Sequence, residues 1–191
     1  RRRSRRGRGL RRRALTAAAS VAKPEAGGPQ REGRTMDELL DAAIAVLTAA
    51  YADGSASPVE FARATVARAE RANPVLNALW AEHYDEALAA AGQSEARWRR
   101  GEPLGPLDGV PVTIKENIAT RGVALPIGTA ATELVPAADD APPAARLREA
   151  GCVFLGKTTM PDYGMLSSGL SSFHAASRNP WDTTRTPGGS S

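Results

Sequence analysis

Two short apolar strands, separated by a helix, constrain the fold of this chain more than any other feature. Residues 110–114 read Val-Pro-Val-Thr-Ile, and residues 152–155 read Cys-Val-Phe-Leu. Short apolar runs of this kind predict strands that are buried on both faces. The helical pattern over residues 141–150 ends at Gly151. A strand, a helix and a second strand in this order predict a parallel pair joined by a crossover.

The residues before the first strand are predicted to be helical. Ser57-Pro58-Val59-Glu60 has the pattern of a helix capping box with proline at the first helical position. Asn73-Pro74 is expected to break the helix that this box opens. The fold class that follows is α/β, with a mixed, largely parallel sheet flanked by helices. The three predicted helices cover residues 36–53, 57–72 and 84–100.

The charge of the chain is unevenly distributed. The net charge is +4, but residues 1–35 carry +10 and residues 36–191 carry −6. The first segment is rich in arginine and offers few apolar groups to bury, so we expect a disordered tail. The remaining residues have an acidic balance and contain enough apolar positions for a core.

Three interpretations of residues 1–35 remain open. The first methionine is Met36. If the protein starts at this residue, residues 1–35 are an artefact of translating the sequence upstream of the true start. Alternatively, Ser4-Arg5-Arg6 and the small residues up to Ala22 are similar to an export signal. A nucleic-acid-binding arm ranks last, because the segment has no aromatic residue to stack on bases. We expect a cytoplasmic protein, with export as the alternative.

Each predicted strand is followed by a polar segment that contains a lysine. Lys115-Glu116-Asn117 follows the first strand, and Gly156-Lys157-Thr158-Thr159 follows the second. The carboxyl ends of parallel strands line the ligand crevice of open α/β sheets. Both lysines are therefore candidate site residues, although a solvated charge is the commoner role at a strand end. Lys157 is predicted to hold the loop after the second strand.

The last residues of the chain present two hydroxyl groups on an irregular backbone. Residues 187–191 read Pro-Gly-Gly-Ser-Ser, and Asn179-Pro180-Trp181-Asp182 precedes them. A flexible linker has a similar composition. The flanking Trp181 favours an ordered loop instead, with the aromatic ring as its anchor.

Three blocks of the chain, in the right order, resemble the amidase signature family. Residues 105–117, Gly-Pro-Leu-Asp-Gly-Val-Pro-Val-Thr-Ile-Lys-Glu-Asn, closely resemble its lysine block. Residues 146–160 are similar to the next block, and residues 179–191 to the start of the Gly-Gly-Ser-Ser signature. The resemblance covers residues 36–191 and implies the N-terminal part of an amidase domain. Glu116 stands where the family commonly has aspartate, which keeps the charge.

The resemblance implies amide hydrolysis by a Ser–Ser–Lys triad, with no metal or organic cofactor. Lys115 matches the general base, and Ser190 matches the bridging serine, which follows a cis peptide bond and relays a proton. A serine hydroxyl attacks poorly without a base, and a lysine is a base only as the neutral amine, which desolvation favours. The nucleophilic serine of the family lies in a later Gly-Gly-Ser segment. The 191-residue chain is therefore predicted to be inactive alone.

The resemblance also implies a substrate-binding region and two alternative functions. The expected substrate is a small-molecule amide; its identity and the oligomeric state remain open. One alternative is the A subunit of a tRNA-dependent glutamine amidotransferase, to which residues 160–164 are less similar than to general amidases. The other is a non-catalytic fragment. The implied substrate-binding residues are Met165, Ser167, Ser168 and Ser191.

The remaining reactive residue types have structural interpretations. His83 and His174 share no pattern, so neither a Ser/His site nor a metal site is expected on them. Cys152 lies inside an apolar strand and is predicted to be a small buried hydrophobe. A single cysteine excludes an internal disulfide. No run of about 20 apolar residues is present, so no membrane span is expected.

Overall fold

The computed structural model describes residues 34–189 of the chain. The predictions for residues 1–33, for Ser190 and for Ser191 lie outside the described residues. The elements, in chain order, are α1 (Met36–Leu40), α2 (Ile44–Asp53), α3 (Pro58–Leu76), β1 (Leu79–Trp80), α4 (Tyr84–Arg100), β2 (Pro111–Lys115), α5 (Pro142–Glu149), β3 (Val153–Thr158) and a 3₁₀ turn (Asp162–Gly164).

The first predicted helix consists of two helices. Thr35 caps α1 in a capping box with Glu38. The helix ends at Leu40, and in the turn that follows the Leu39 carbonyl accepts from Ala42 N at 3.1 Å. Asp41 lies in the break and pairs with Arg68 of α3 at 2.7 Å. The prediction of one helix was wrong because the apolar spacing continues across a backbone turn that spacing alone cannot detect.

Helix α3 begins where the sequence predicted and ends later. Ser57 Oγ accepts from the amides of Val59 and Glu60 at 3.1 and 3.2 Å, as an N-cap residue does. It also donates to Glu95 of α4, so the cap joins the two helices. Pro74 lies inside the helix, which runs to Leu76. The predicted end near residue 72 was wrong, because a proline removes only one donor in a last turn that the rest of α3 holds in place.

The sheet has three strands in the order β1-β3-β2. β2 and β3 are parallel, which confirms the predicted pair, and β1 runs antiparallel to β3. The two residues of β1 are too few to show a strand pattern in the sequence. β3 extends to Thr158, so residues 156–158 form its last residues instead of the predicted loop.

A bulge at Leu155 sets which side chains meet at the ends of β2 and β3. Val112 pairs with Phe154, but the next residue of β2, Thr113, pairs with Gly156. Gly156 has a φ of +156°, and a Cβ there would lie 3.1 Å from the Ala81 carbonyl oxygen. A bulge shifts the alternation of a strand by one residue. Consequently, Ile114 pairs with Lys157, and Lys115 pairs with Thr158.

Two apolar clusters contain most of the buried hydrophobic residues that the structure describes. One joins α1, α2 and α3, and Trp98 of α4 packs against it. The other lies between α3, α4 and β3. Cys152 is buried, as predicted. The first cluster contains Leu39, Leu47, Ala50, Tyr51, Ala56 and Phe61, and the second contains Ala62, Val66, Ala87, Ala91, Val153 and Leu155.

A buried ion pair connects α4 to the segment before β2. The Asp108 side chain is fully buried, and Arg97 binds it through Nε at 2.8 Å and Nη2 at 2.6 Å. The Leu104 amide donates a third bond to Asp108, at 2.9 Å. Burial acts to raise the pKa of Asp108, but the bonds from Arg97 and Leu104 outweigh it and hold this pKa below its ordinary value.

We expect Asp108→Asn to lower the free energy of unfolding by about 3 kcal/mol, because it leaves Arg97 without its anion. The loss should be largest above pH 4 and should shrink as the pH falls through the lowered pKa of Asp108. Urea denaturation at several pH values measures both effects. Asp41→Asn is the matched control, because the ion pair of Asp41 with Arg68 is exposed and should contribute little. Equal losses in the two variants would contradict this account.

Candidate active site

The carboxyl ends of β2 and β3 open into a cleft of about 620 Å³. Lys115 and Thr158, the paired last residues of these strands, both line it. Its walls come from the end of α3, from the residues after β3 and from the loop near residue 188. The charged residues of its described lining are Lys115 and Arg178. The full lining is Leu76, Ala78, Lys115, Thr158, Thr159, Met160, Pro161, Gly169, Ser177, Arg178, Pro180, Pro187, Gly188 and Gly189.

The structure brings Lys115 to the same cleft as Gly188 and Gly189. These glycines directly precede Ser190 and Ser191, which are outside the described residues. Gly188 has a φ of +82°, a conformation that favours glycine. The roles of Lys115 as the base and of Ser190 as the relay stay predictions.

Polar turns order the loop that leads to these glycines. Asn179 N donates to Arg185 O at 2.9 Å, and the side chain of Asp182 accepts from the Thr184 amide at 3.1 Å and from Arg185 Nε at 2.9 Å. Arg178 N ties the loop to α3 through the Leu76 carbonyl at 2.8 Å. The prediction of an ordered loop holds, but Trp181 is 95% exposed and does not anchor it.

Three of the four predicted substrate-binding residues, Met165, Ser167 and Ser168, lie in the segment before Gly169 and are absent from the described lining of the cleft. Met165 is 83% exposed, whereas Gly169 is part of the lining. A Cβ on Gly189 would lie 3.1 Å from the Ser168 carbonyl oxygen. The segment that contains these serines therefore packs directly against the glycine that precedes Ser190.

A hydroxyl cluster in the cleft wall was missed by sequence reasoning. The hydroxyls of Thr159 and Ser177 lie 2.9 Å apart, and each donates to the Asn77 carbonyl, at 3.1 and 2.9 Å. Asn77 has a left-handed conformation that ends α3. These residues come from three separate parts of the chain, so no local sequence signal could have grouped them.

Glu116, the residue after Lys115, is fully buried beneath the cleft. Its Oε1 accepts from the Gly128 amide at 2.5 Å, and its Oε2 accepts from His174 Nε2. His174 is 7% exposed in its side chain and packs against the rings of Trp80 and Phe173. No sequence pattern groups Glu116 with His174, because 58 residues separate them.

Lys157 has a different structural role from the predicted one. It lies inside β3, is 1% exposed, and donates from Nζ to the Ile118 carbonyl and to Thr120 Oγ1, the latter at 2.9 Å. It therefore holds the loop after β2, not the loop after β3. Burial lowers the pKa of Lys157 to about 8, although Glu116 and Asp140 act to raise it.

A second cavity, of about 540 Å³, lies away from Lys115. Arg97, Arg121 and Arg148 line it. Two of these guanidinium groups are already engaged, Arg97 by Asp108 and Arg148 by Asp140. The cleft at Lys115 is therefore the better candidate for an active site.

The described residues provide neither a metal-binding cluster nor a membrane-spanning helix. Within residues 34–189, no group of three or more His, Cys, Asp or Glu side chains is arranged to hold a metal ion. None of the helices in this range is both long and apolar enough to span a membrane.

The cleft thus combines a lysine at the end of a strand with Gly188 and Gly189. Residues 60–191 match the model of the Amidase family, which covers more than half of the chain. The chain belongs to the amidase family. The three blocks that suggested the family in the sequence are all inside the matched range.

Curated relatives and solved structures agree with this assignment. The chain is 40% identical over 154 residues to the A subunit of glutamyl-tRNA(Gln) amidotransferase from Myxococcus xanthus, covering 81% of this chain and 32% of that protein. The crystal structure of native peptide amidase from Stenotrophomonas maltophilia superposes with a TM-score of 0.69 at 28% identity, covering 75% of this chain and 31% of that one. A structure of "Fatty acid amide hydrolase", at 24% identity and a TM-score of 0.74, covers 81% of this chain and 27% of that one and shows the same fold. The chain spans about a third of the length of the relatives that it matches.

We expect the free energy of unfolding to depend on pH because the amine of Lys157 is buried. Unfolded lysine has a pKa of about 10.4, so between pH 8 and 10 the unfolded chain binds more protons than the folded one, and stability should rise with pH. The expected gain is about 2 kcal/mol relative to Lys157→Met, from urea denaturation at each pH. The difference between the two proteins at each pH removes the contribution of all other titrating groups. Parallel pH profiles for the two proteins would contradict the lowered pKa.

Proposed function

We propose that this chain supplies the base and the proton relay of an amide hydrolase that uses a Ser–Ser–Lys triad. Lys115 is the general base, and Ser190 is the relay. The observation that carries the proposal is that Lys115 lines one cleft together with Gly188 and Gly189, which directly precede Ser190. The match to the Amidase family over residues 60–191 supports it.

The proposed reaction follows from the chemistry of these groups. The neutral amine of Lys115 takes the proton of the Ser190 hydroxyl, which in turn takes the proton of a nucleophilic serine. The serine oxygen adds to the amide carbon, and the C–N bond breaks. The nitrogen leaves with the proton returned along the same relay. Water then attacks the acyl-serine ester by the same base catalysis, which releases the acid and restores the serine.

The nucleophilic serine is proposed to lie outside these 191 residues. The chain matches only 32% of the first of the curated relatives, so most residues of that protein have no counterpart in it. In this proposal Met165, Ser167, Ser168 and Ser191 contact a small-molecule amide. The packing of the segment of the first three against Gly189 supports it.

The amidase domain is proposed to begin near Met36, before the first matched residue at position 60. Leu39 of α1 and Leu47 of α2 belong to the same buried cluster as Phe61 of α3. Removal of α1 and α2 would expose this cluster. The interpretation of residues 1–35 as a tail stays a prediction.

A second candidate function is that of the A subunit of a glutamine amidotransferase. Two relatives at 40% identity, both the A subunit of glutamyl-tRNA(Gln) amidotransferase, favour this candidate function. Release of ammonia from glutamine by the full-length protein, only when its partner proteins are added, would support this candidate. Hydrolysis of simple amides without partners would support the stand-alone amidase.

In the full-length protein, Lys115→Met and Lys115→Arg should both reduce amide hydrolysis to background. Methionine keeps the length of the side chain without a base, and arginine keeps the charge but stays protonated. Initial rates with a small aryl amide, corrected for the folded fraction, measure the loss. Substantial activity in Lys115→Arg would show that the position needs a cation and not a base. Arg146→Ala, on the exposed face of α5, is the control and should keep full activity.

The 191-residue chain by itself should show no amide hydrolysis above background, because it contains a base and a relay without a nucleophile. The measurement compares the chain with the full-length protein on a panel of aryl and aliphatic amides. Turnover by the short chain that disappears in Ser191→Ala would make Ser191 the nucleophile and contradict the proposed assignment of roles.

A further inference from the structure

Four residues beneath the cleft form a closed cycle of hydrogen bonds. Glu116 accepts from the Gly128 amide, and the Gly128 carbonyl accepts from the Ser171 hydroxyl. The same hydroxyl accepts from the His174 amide at 2.9 Å, and the His174 ring returns to Glu116. The cycle joins three segments that are distant in sequence.

The cycle connects the two sides of the candidate active site. Glu116 directly follows Lys115, and its amide extends the β-ladder by donating to the Thr158 carbonyl at 3.1 Å. Ser171 and His174 follow the segment of Ser167 and Ser168, which packs against Gly189. A shift of one side of the cycle would therefore move the other side of the cleft.

Gly128 is a fixed point of the cycle. Its φ is +69°, and a Cβ on it would lie 2.6 Å from the carbonyl carbon of Pro161 and 2.7 Å from the Met160 oxygen. Met160 and Pro161 themselves line the cleft. The backbone of Gly128 thus lies directly behind the cleft wall, with its amide and its carbonyl both engaged in the cycle.

A second set of contacts holds the Lys115 side of the cycle. Lys157 donates to the Ile118 carbonyl and to Thr120, and Ile118 N donates to the Lys115 carbonyl at 3.0 Å. Lys157 and Glu116 therefore both hold the loop that follows Lys115.

Burial of an ionisable pair is an inefficient way to stabilise a fold. Taking charges out of water costs several kcal/mol per ion, and an apolar replacement of similar size is often equally stable. The Glu116–His174 pair is almost fully buried. Hydrogen bonds are directional and apolar contacts are not. The hydrogen bonds of this pair therefore hold two backbone segments at fixed distances.

We propose that Glu116 is a positioning residue, which through Gly128, Ser171 and His174 fixes Lys115 relative to the segment at Ser167 and Ser168. This inference rests on the proposed function. Displacement of a catalytic group by about 1 Å can reduce turnover about a hundredfold. The cycle keeps the proposed base at its distance from the segment that packs against Gly189.

The test uses the full-length protein and two buried carboxylates of the same chain. Glu116→Gln removes the charge at the cycle, and Asp108→Asn does the same at the other end of β2, away from the cleft. Both side chains are fully buried, so both variants should lose stability. Ser171→Ala breaks the cycle without removing a charge and is the milder variant if Glu116→Gln does not fold.

We expect Glu116→Gln to lower kcat for a small amide by about a hundredfold and Ser171→Ala by about tenfold, per folded molecule. Glu116→Asp should recover part of this loss, because it restores the charge on a shorter side chain. Asp108→Asn should keep kcat within about twofold, since Asp108 contacts neither side of the cleft. Unchanged kcat in both Glu116→Gln and Ser171→Ala would overturn the proposal and leave the cycle a structural feature only.

A readout independent of activity separates this inference from the proposed function. Hydrogen exchange at the amides of Gly128 and His174 should accelerate at least tenfold in Ser171→Ala but not in Asp108→Asn. If the wild-type protein hydrolyses no amide, the proposed function fails, and the exchange rates still decide whether the cycle holds the two segments together. Unchanged exchange at both amides would overturn the proposal.

Discussion

The parallel pairing of β2 with β3 is the contact on which the candidate active site depends. It places the last residue of each strand, Lys115 and Thr158, side by side at the floor of one cleft. The bulge at Leu155 decides that register, because without it a different residue would stand opposite Lys115. Gly156 permits the bulge, since any side chain there would press on the backbone of residues 81–82.

Charges are buried at both ends of β2, and each is engaged by a different mechanism. Before the strand, Asp108 meets the planar fork of Arg97, which satisfies the carboxylate with two bonds. After the strand, one carboxylate oxygen of Glu116 binds the Gly128 amide and the other binds the His174 ring. The first arrangement joins a helix to the sheet. The second joins loops around the cleft, which is where geometry matters for a reaction.

The helices and strands with strong local patterns were predictable. Helix α4 was predicted with the bounds that the structure shows, and the two strands of the parallel pair were located to within a few residues. The break between α1 and α2, the continuation of α3 through Pro74 and the short strand β1 were not predicted. At the first of these, Arg68 contacts Asp41 from a distant part of the chain, and β1 exists only through its pairing with β3.

The sequence by itself determined the family, the α/β class and the candidate base, because these follow from local patterns and from blocks of adjacent residues. Only the tertiary structure decided which residues surround that base. No local pattern relates Glu116 to His174, or Thr159 to Ser177. These pairs meet because the sheet register and the left-handed backbone conformations of Asn77 and Gly128 bring their segments together. Most buried polar groups form hydrogen bonds, and the identity of the partner depends on how the whole chain folds.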